Sequence, residues 1–235
     1  MSVSGGTFTM SGGEISGNSS QYGGGGVYVY VSSHFIGTFT MSGGARVNPN
    51  NPVYRAYSSD TSSYAALTIG GAFTGSDTVA LVEFGGDSMD SALNFIGKTV
   101  VKWAEGQSGT LPVDRIAFSS GWTADSNGVL GVNSAPLTPS GAGAYLGPGK
   151  AHFYRFSPAL NSTYTVTLTK DDSDYNNRMY AAAVWADGSG TLVTSESYYY
   201  SDTDTSPPFI AGKPGDIIIM VCNGTGNYTV RYNEE

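Results

Sequence analysis

The sequence is poor in charged residues, cysteine and histidine, and each shortage argues against a class of protein. Charged residues make up 13% of the 235 residues, about half the usual share. The 11 basic residues are outnumbered by 19 acidic ones, which gives a net charge of −8. Nucleic-acid-binding proteins need basic surface to neutralise phosphates, so this balance argues against a nucleic-acid partner. The single cysteine, Cys222, excludes an internal disulfide.

Long apolar runs and strong helix formers are scarce as well. The longest apolar runs have the length of a β-strand, so we expect no membrane span in this chain. The two histidines, His34 and His152, fall in no metal-binding or catalytic-triad spacing. Glycine and tyrosine are abundant instead, at 33 and 16 residues. This composition predicts an all-β fold with many turns.

An octapeptide, Gly-Thr-Phe-Thr-Met-Ser-Gly-Gly, occurs twice, at Gly6–Gly13 and at Gly37–Gly44. Identity over eight residues indicates that a unit of 31 residues was duplicated. A period of this length is typical of solenoids, propellers and arrays. The Gly and β-branched content excludes a helical solenoid, and no four-stranded blade spacing is visible. The repeat therefore favours a parallel β-helix.

Period-two alternation assigns the side chains of the repeat to two faces. The alternation predicts that Phe8 and Met10 point inward, while the intervening threonines point outward. If one unit forms one coil, Phe39 stacks on Phe8 and Met41 stacks on Met10. The threonines then form a hydroxyl ladder on the outside.

Three regions follow from the changes in pattern along the chain. Residues 1–133 read as coils of a parallel β-helix, regular over residues 1–44 and degenerate after them. Residues 134–150 are rich in Pro and Gly and read as a linker without regular structure. Residues 151–235 contain long alternating strands and predict an antiparallel β-sandwich. In the segment Thr163–Lys170, Tyr164 shares one face with the other apolar residues and the threonines share the opposite face.

Two segments resemble known families. Gly6–Asn18 resembles the repeats of bacterial surface proteins with right-handed parallel β-helices, such as polymorphic outer-membrane proteins and autotransporter passenger domains. His152–Phe156, Tyr164–Leu168 and Gly226–Val230 resemble strands of the bacterial pre-peptidase C-terminal β-sandwich. These resemblances imply a right-handed parallel β-helix followed by an antiparallel β-sandwich. They also imply a secreted or cell-surface protein, because such sandwiches are non-catalytic accessory domains of secreted proteins.

One acidic segment has part of a calcium-loop pattern. Asp172, Asp174 and Asn176 alternate as they do at the start of such a loop. Asn177 stands where the loop needs glycine, and Ala183 stands where it needs a bidentate glutamate. The segment is therefore either a solvated acidic turn or a calcium site with an incomplete ligand set. We expect no other cofactor.

A tyrosine run offers a candidate surface for sugar binding. Tyr198, Tyr199 and Tyr200, together with Trp185, could present aromatic faces to a sugar ring. The alternative is that alternate tyrosines fill the sandwich core while Tyr199 points outward. No set of carboxylates or basic residues clusters with the repeat, so we expect no catalytic site.

These observations predict a non-enzymatic adhesion or interaction protein, secreted or displayed on a bacterial surface. We expect a fragment of a longer protein, with an export signal upstream. The expected partner is a host or matrix protein or a glycan, and the open end of the first coil predicts self-association. One alternative is a carbohydrate-active enzyme or a carbohydrate-binding region on a β-helix. Another is a structural filament or surface-layer subunit.

Overall fold

The computed structural model describes residues 1–20, 25–31, 34–56, 64, 66–85, 93–119, 121–147, 150–171, 179–187, 192–194, 203–222 and 224–235. Its regular elements are β-strands and one 3-10 turn at Val113–Arg115, which confirms the predicted all-β fold. Within these ranges no helix has the length and apolarity needed to cross a membrane. The chain divides into two compact units, Met1–Gly131 and Val132–Glu235.

The strands of the first unit pair almost entirely in parallel. They are β1 (Ser2–Ser4), β2 (Gly6–Met10), β3 (Glu14–Ile15), β4 (Val27–Tyr30), β5 (Gly37–Gly43), β6 (Arg46–Val47), β7 (Val53–Ala56), β8 (Leu67–Phe73), β9 (Ala80–Gly85), β10 (Val101–Trp103), β11 (Ile116–Phe118), β12 (Trp122–Ala124) and β13 (Leu130–Val132). One parallel sheet has the order β1-β4-β7-β9-β11, and another has the order β10-β8-β5-β2. Two smaller sheets pair β3 with β6 and β12 with β13.

The two copies of the octapeptide pair with each other residue by residue. Phe8 lies opposite Phe39 and Met10 lies opposite Met41, as the repeat predicted. The rings of Phe8 and Phe39 stack with their centroids 5.8 Å apart. The pairing continues past the region of identity, because Met41 lies opposite Ile69 on the next strand. Apolar rows therefore extend through this unit in register.

The phenylalanine on β2 is more exposed to solvent than its counterpart on β5. Phe39 is 1% exposed, whereas Phe8 is 36% exposed, so the expectation that Phe8 lies inside holds only in part. The reason is that β2 ends its sheet and has a neighbour on one side only. The prediction of an exposed threonine ladder also holds only in part. Thr40 and Thr68 lie opposite each other on the outward row, but both are buried.

An arginine interrupts one of the buried rows. Arg55 lies opposite Val29 and Phe84 and is fully buried. Its guanidinium lies 5.7 Å from the centre of the Phe95 ring and donates a hydrogen bond to the carbonyl oxygen of Ala56. Burial lowers the pKa of Arg55 to about 10, so the side chain is still charged at neutral pH. Ring faces around a desolvated cation offset part of its burial cost.

The second unit contains longer strands that pair mostly antiparallel. They are β14 (Ser134–Pro136), β15 (Ala142–Leu146), β16 (Ala151–Phe156), β17 (Thr163–Lys170), β18 (Tyr180–Trp185), β19 (Leu192–Thr194), β20 (Thr203–Thr205), β21 (Phe209–Ile210), β22 (Ile217–Cys222) and β23 (Gly226–Glu234). One sheet has the order β14-β16-β22-β18-β19, and the other has the order β15-β23-β17-β20 with β21 also paired to β17.

Both sheets contribute side chains to one core, as in a two-layer sandwich. On β17 the apolar face points into this core, with Tyr164, Val166 and Leu168 almost fully buried. The opposite face carries Thr165 and Thr167, as the alternation predicted. Both threonines are nevertheless buried and hydrogen-bonded.

The prediction that residues 134–150 form a linker without regular structure was wrong, because two strands lie in this segment. β14 pairs with β16, and β15 pairs with β23, so both belong to the second unit. Pro136 is tolerated because β14 is an edge strand, where a missing N–H costs no ladder bond. Leu137 and Leu146 supply the burial that holds this segment in the core.

Candidate functional site

A cleft of about 460 Å³ lies at one end of the second unit. It is formed where β17 begins, where β23 ends, and where the chain turns after β16 and between β14 and β15. A volume of this size is within the range of small-molecule binding sites. Its lining residues are Pro139, Ser157, Ala159, Tyr164, Tyr232, Asn233 and Glu234.

Aromatic rings form one wall of this end cleft. Tyr232 stacks on Phe156 with ring centroids 4.2 Å apart and planes 12° apart. Tyr164 meets Tyr232 nearly edge to face at 6.0 Å and meets Phe156 in the same way at 5.6 Å. Tyr232 is half-buried, whereas Phe156 and Tyr164 are buried. The Tyr232 ring is therefore fixed from behind and reaches the cleft.

Backbone and amide groups hold the polar wall in place. The Ala159 N–H donates to the Tyr164 hydroxyl oxygen at 2.8 Å, which leaves the hydroxyl proton to donate elsewhere. The Asn233 amide nitrogen donates to the hydroxyls of Thr165 and Thr167 at 3.3 and 3.1 Å. These bonds hold the Asn233 side chain on the face of the sheet that carries Thr165 and Thr167, whereas Tyr232 lies on the opposite face.

Two carboxylates lie at or near the rim, and they differ in their surroundings. The Ser157 hydroxyl donates to the Asp216 carboxylate at 2.5 Å, and Arg155 forms an ion pair with the same carboxylate at 3.4 Å. The charge of Asp216 is therefore offset. Glu234 lines the cleft, is exposed, and forms no ion pair with any cation in the described part of the chain.

The phenol of Tyr232 lies in a negative environment. Desolvation raises the pKa of Tyr232, and the neighbouring Tyr164 and Glu234 raise it further. Tyr232 is therefore neutral at physiological pH and can donate its proton. The described lining offers ring surface, hydroxyl donors and the Glu234 carboxylate. This chemistry suits the binding of a polar ligand.

A second polar cluster lies within the same unit but does not form a cleft. The Tyr228 hydroxyl is 2.6 Å from both His152 Nδ1 and the Tyr154 hydroxyl. Burial lowers the pKa of His152 and raises that of Tyr228. Both groups are therefore held neutral, and the hydrogen-bonded chain joins β16 to β23 across the core. Its role is structural.

The sequence-predicted aromatic surface is only partly described. Trp185 is 6% exposed and belongs to the core of the second unit. The Lys213 ammonium lies 5.0 Å from its ring centre. This burial does not fit a role for Trp185 as a sugar-binding surface. Tyr198, Tyr199 and Tyr200 lie outside the described residues.

The predicted calcium ligands Asp172, Asp174 and Asn176 also lie outside the described residues. Among the residues that the structure describes, no three His, Cys, Asp or Glu side chains are grouped to hold a metal ion. Cys222 is buried, as its apolar sequence context predicted.

Sequence reasoning missed the end cleft because its parts are far apart along the chain. Pro139, Tyr164 and Glu234 come from three separate segments. One signal was available, since Tyr232, Asn233 and Glu234 place a ring, an amide and a carboxylate in succession. What brings them to Tyr164 is the antiparallel register, in which Glu234 lies opposite Tyr164.

Comparison with known proteins gives little information. No family model matches the chain, and no curated protein matches it. Among solved structures, the pre-peptidase C-terminal domain of a collagenase from Bacillus anthracis matches with a TM-score of 0.33 and 17% sequence identity. The match covers 43% of this chain and 93% of that domain. A TM-score this low supports no conclusion about function.

Proposed function

We propose that this chain is a non-enzymatic, exported surface protein that binds a glycan or protein ligand at the end cleft. The observation that carries the proposal is the combination of the fixed Tyr232 ring with the Tyr164 hydroxyl and the Glu234 carboxylate in one open cleft. Aromatic faces paired with a few placed polar groups are typical of ligand sites. The expected partner remains a host or matrix protein or a glycan.

In this proposal the first unit is a scaffold, a right-handed parallel β-helix of the kind that the octapeptide resembles. Parallel pairing of like residues along rows, such as Phe8 with Phe39, supports it. The second unit is the binding domain, a β-sandwich of the pre-peptidase C-terminal type. Its two sheets around one core support that assignment.

A glycan array tests the binding function. The full chain is screened on an array of plant, bacterial and host glycans, and each glycan that binds is tested again with Tyr232→Leu. Loss of the ring is expected to weaken binding at least tenfold, because stacking on an aromatic face contributes much of the affinity in such sites. Tyr145→Leu is the matched control, since Tyr145 is 62% exposed in the same unit and does not line the cleft.

Two results would contradict the proposal. Equal loss of binding in Tyr232→Leu and Tyr145→Leu would place the ligand elsewhere. Release of shorter glycans from a bound polysaccharide would favour the alternative of a carbohydrate-active enzyme.

A second candidate function is a filament or surface-layer subunit, and a separate observation favours it. Within the described residues, β1 and β2 each stand at the end of a parallel sheet and pair on one side. Exposed large apolar side chains gather in the same part of the sequence, at Met1, Phe8, Phe35 and Ile36. Open edges beside apolar surface favour association with another strand.

Sedimentation of the purified chain over a range of concentrations tests this second candidate. Concentration-dependent assembly that Phe8→Lys abolishes would support it, because a charge at the edge strand opposes pairing. A monomer at every concentration would exclude it.

A further inference from the structure

We propose that the end cleft selects a glycan that carries free amino groups, with the Glu234 carboxylate binding the protonated amine and the Tyr232 ring lying against the sugar. This inference rests on the proposed function and specifies the ligand class. The observation behind it is the charge of the lining, which among the described residues contains the Glu234 carboxylate and no basic side chain.

The charge of Glu234 is available to a ligand, whereas that of Asp216 is not. Asp216 already accepts bonds from Ser157 and Arg155. Glu234 is exposed, and none of the described lysines or arginines pairs with it. An ammonium group is attracted by the charge of a carboxylate and also by the face of an aromatic ring beside it. The net charge of −8 acts in the same direction.

The Tyr164 hydroxyl favours a sugar over a lysine side chain. Tyr164 lines the cleft, and its hydroxyl oxygen accepts a hydrogen bond from the Ala159 N–H, so the hydroxyl proton can be donated to a ligand. A sugar ring presents hydroxyl oxygens that can accept this hydrogen bond. A lysine stem has only methylene groups at that level, and it would leave the hydroxyl without an acceptor at a cost to affinity.

Isothermal titration with matched oligosaccharides tests this inference. The full chain is titrated with β-1,4-linked glucosamine oligomers and with their fully N-acetylated counterparts, at a pH where the free amine is protonated. The free-amine oligomer is expected to bind about tenfold more tightly, because a charge-assisted hydrogen bond is stronger than a neutral one. Glu234→Gln is expected to remove this preference, so that the two oligomers bind this variant with equal affinity.

Glu235→Gln is the matched control, since it removes the same charge from an exposed neighbouring residue that does not line the cleft. It is expected to retain the preference. Equal affinity for the two oligomers, or equal effects of the two variants, would overturn the inference while the binding function stands. Oligolysine that binds as tightly and competes would overturn the choice of a sugar. If no glycan on the array binds, or if Tyr232→Leu weakens the binding of none that do, the proposed function itself fails.

Discussion

The two units of this chain place side chains next to each other in different ways. In the first unit parallel pairing puts like beside like, as with Phe8 and Phe39, or Thr40 and Thr68. In the second unit antiparallel pairing puts unlike groups together, as with Thr165 and Asn233. Parallel pairing therefore repeats the same side-chain contact along a row. Antiparallel pairing creates contacts that each occur once.

This difference explains where a specific site can form. A row of identical contacts makes a uniform surface, which suits a scaffold. Antiparallel pairing brings Tyr164 beside Glu234, and the packing of one sheet on the other joins His152 to Tyr228. Both the end cleft and the buried polar chain therefore lie in the second unit.

The largest effect is expected in the stacked row of the first unit. Phe39→Ala should lower the free energy of unfolding by about 3–5 kcal/mol, because it empties a buried position. Phe8→Ala changes the same residue of the same octapeptide, but at an exposed edge, and should cost about 1 kcal/mol. Urea denaturation of both variants measures the difference. Equal losses would show that position in the row does not matter.

The next largest effect is expected in the polar chain of the second unit. Tyr228→Phe removes the hydroxyl that bonds to His152 and Tyr154, and it leaves both partners unsatisfied. The expected loss of unfolding free energy is about 1–3 kcal/mol. Tyr145→Phe, at an exposed position, is the control and should change stability by less than about 0.5 kcal/mol. Hydrogen exchange should locate the loss of protection in β16 and β23.

A smaller effect distinguishes the outward threonines of the two units. The Thr167 hydroxyl bonds to Thr205 and Asn233, so Thr167→Val should cost about 1–2 kcal/mol. The Thr40 side chain is 8% exposed, and no hydrogen bond joins its hydroxyl to another side chain within the described residues. Thr40→Val should therefore be neutral or slightly stabilising in thermal denaturation. A larger loss of stability for Thr40→Val than for Thr167→Val would contradict this prediction.

The smallest effect concerns pH. Desolvation lowers the folded-state pKa of His152 below its unfolded value of about 6.5, so the fold favours the neutral ring. Its contribution to stability is complete above the unfolded pKa and is lost as the pH falls from that value through the lower folded-state pKa. Urea denaturation at about pH 8 and about pH 5 should show a smaller loss in His152→Gln than in the unsubstituted protein. An identical loss of stability between the two pH values in both proteins would exclude a contribution of the His152 ring to this pH dependence.

Much of the first unit could be predicted from the sequence, and less of the second. The duplicated octapeptide gave the register of β2 against β5, because identical residues pair most simply in parallel alignment. It could not reveal the buried Arg55, which has no counterpart in the repeat. In the second unit the alternation on β17 was predicted, but the strands within residues 134–150 were not. Their burial depends on partners that lie far away in the sequence.

By itself, the sequence determined the all-β class, the parallel stacking of Phe8 on Phe39, and the two faces of β17, because these follow from local periodicity and from an exact repeat. Only the tertiary structure decided which outward threonines are buried, where Trp185 lies, and which residues meet in the end cleft. These depend on contacts between distant segments. Local pattern fixes the direction of a side chain relative to its strand, but the packing of other strands decides what covers it.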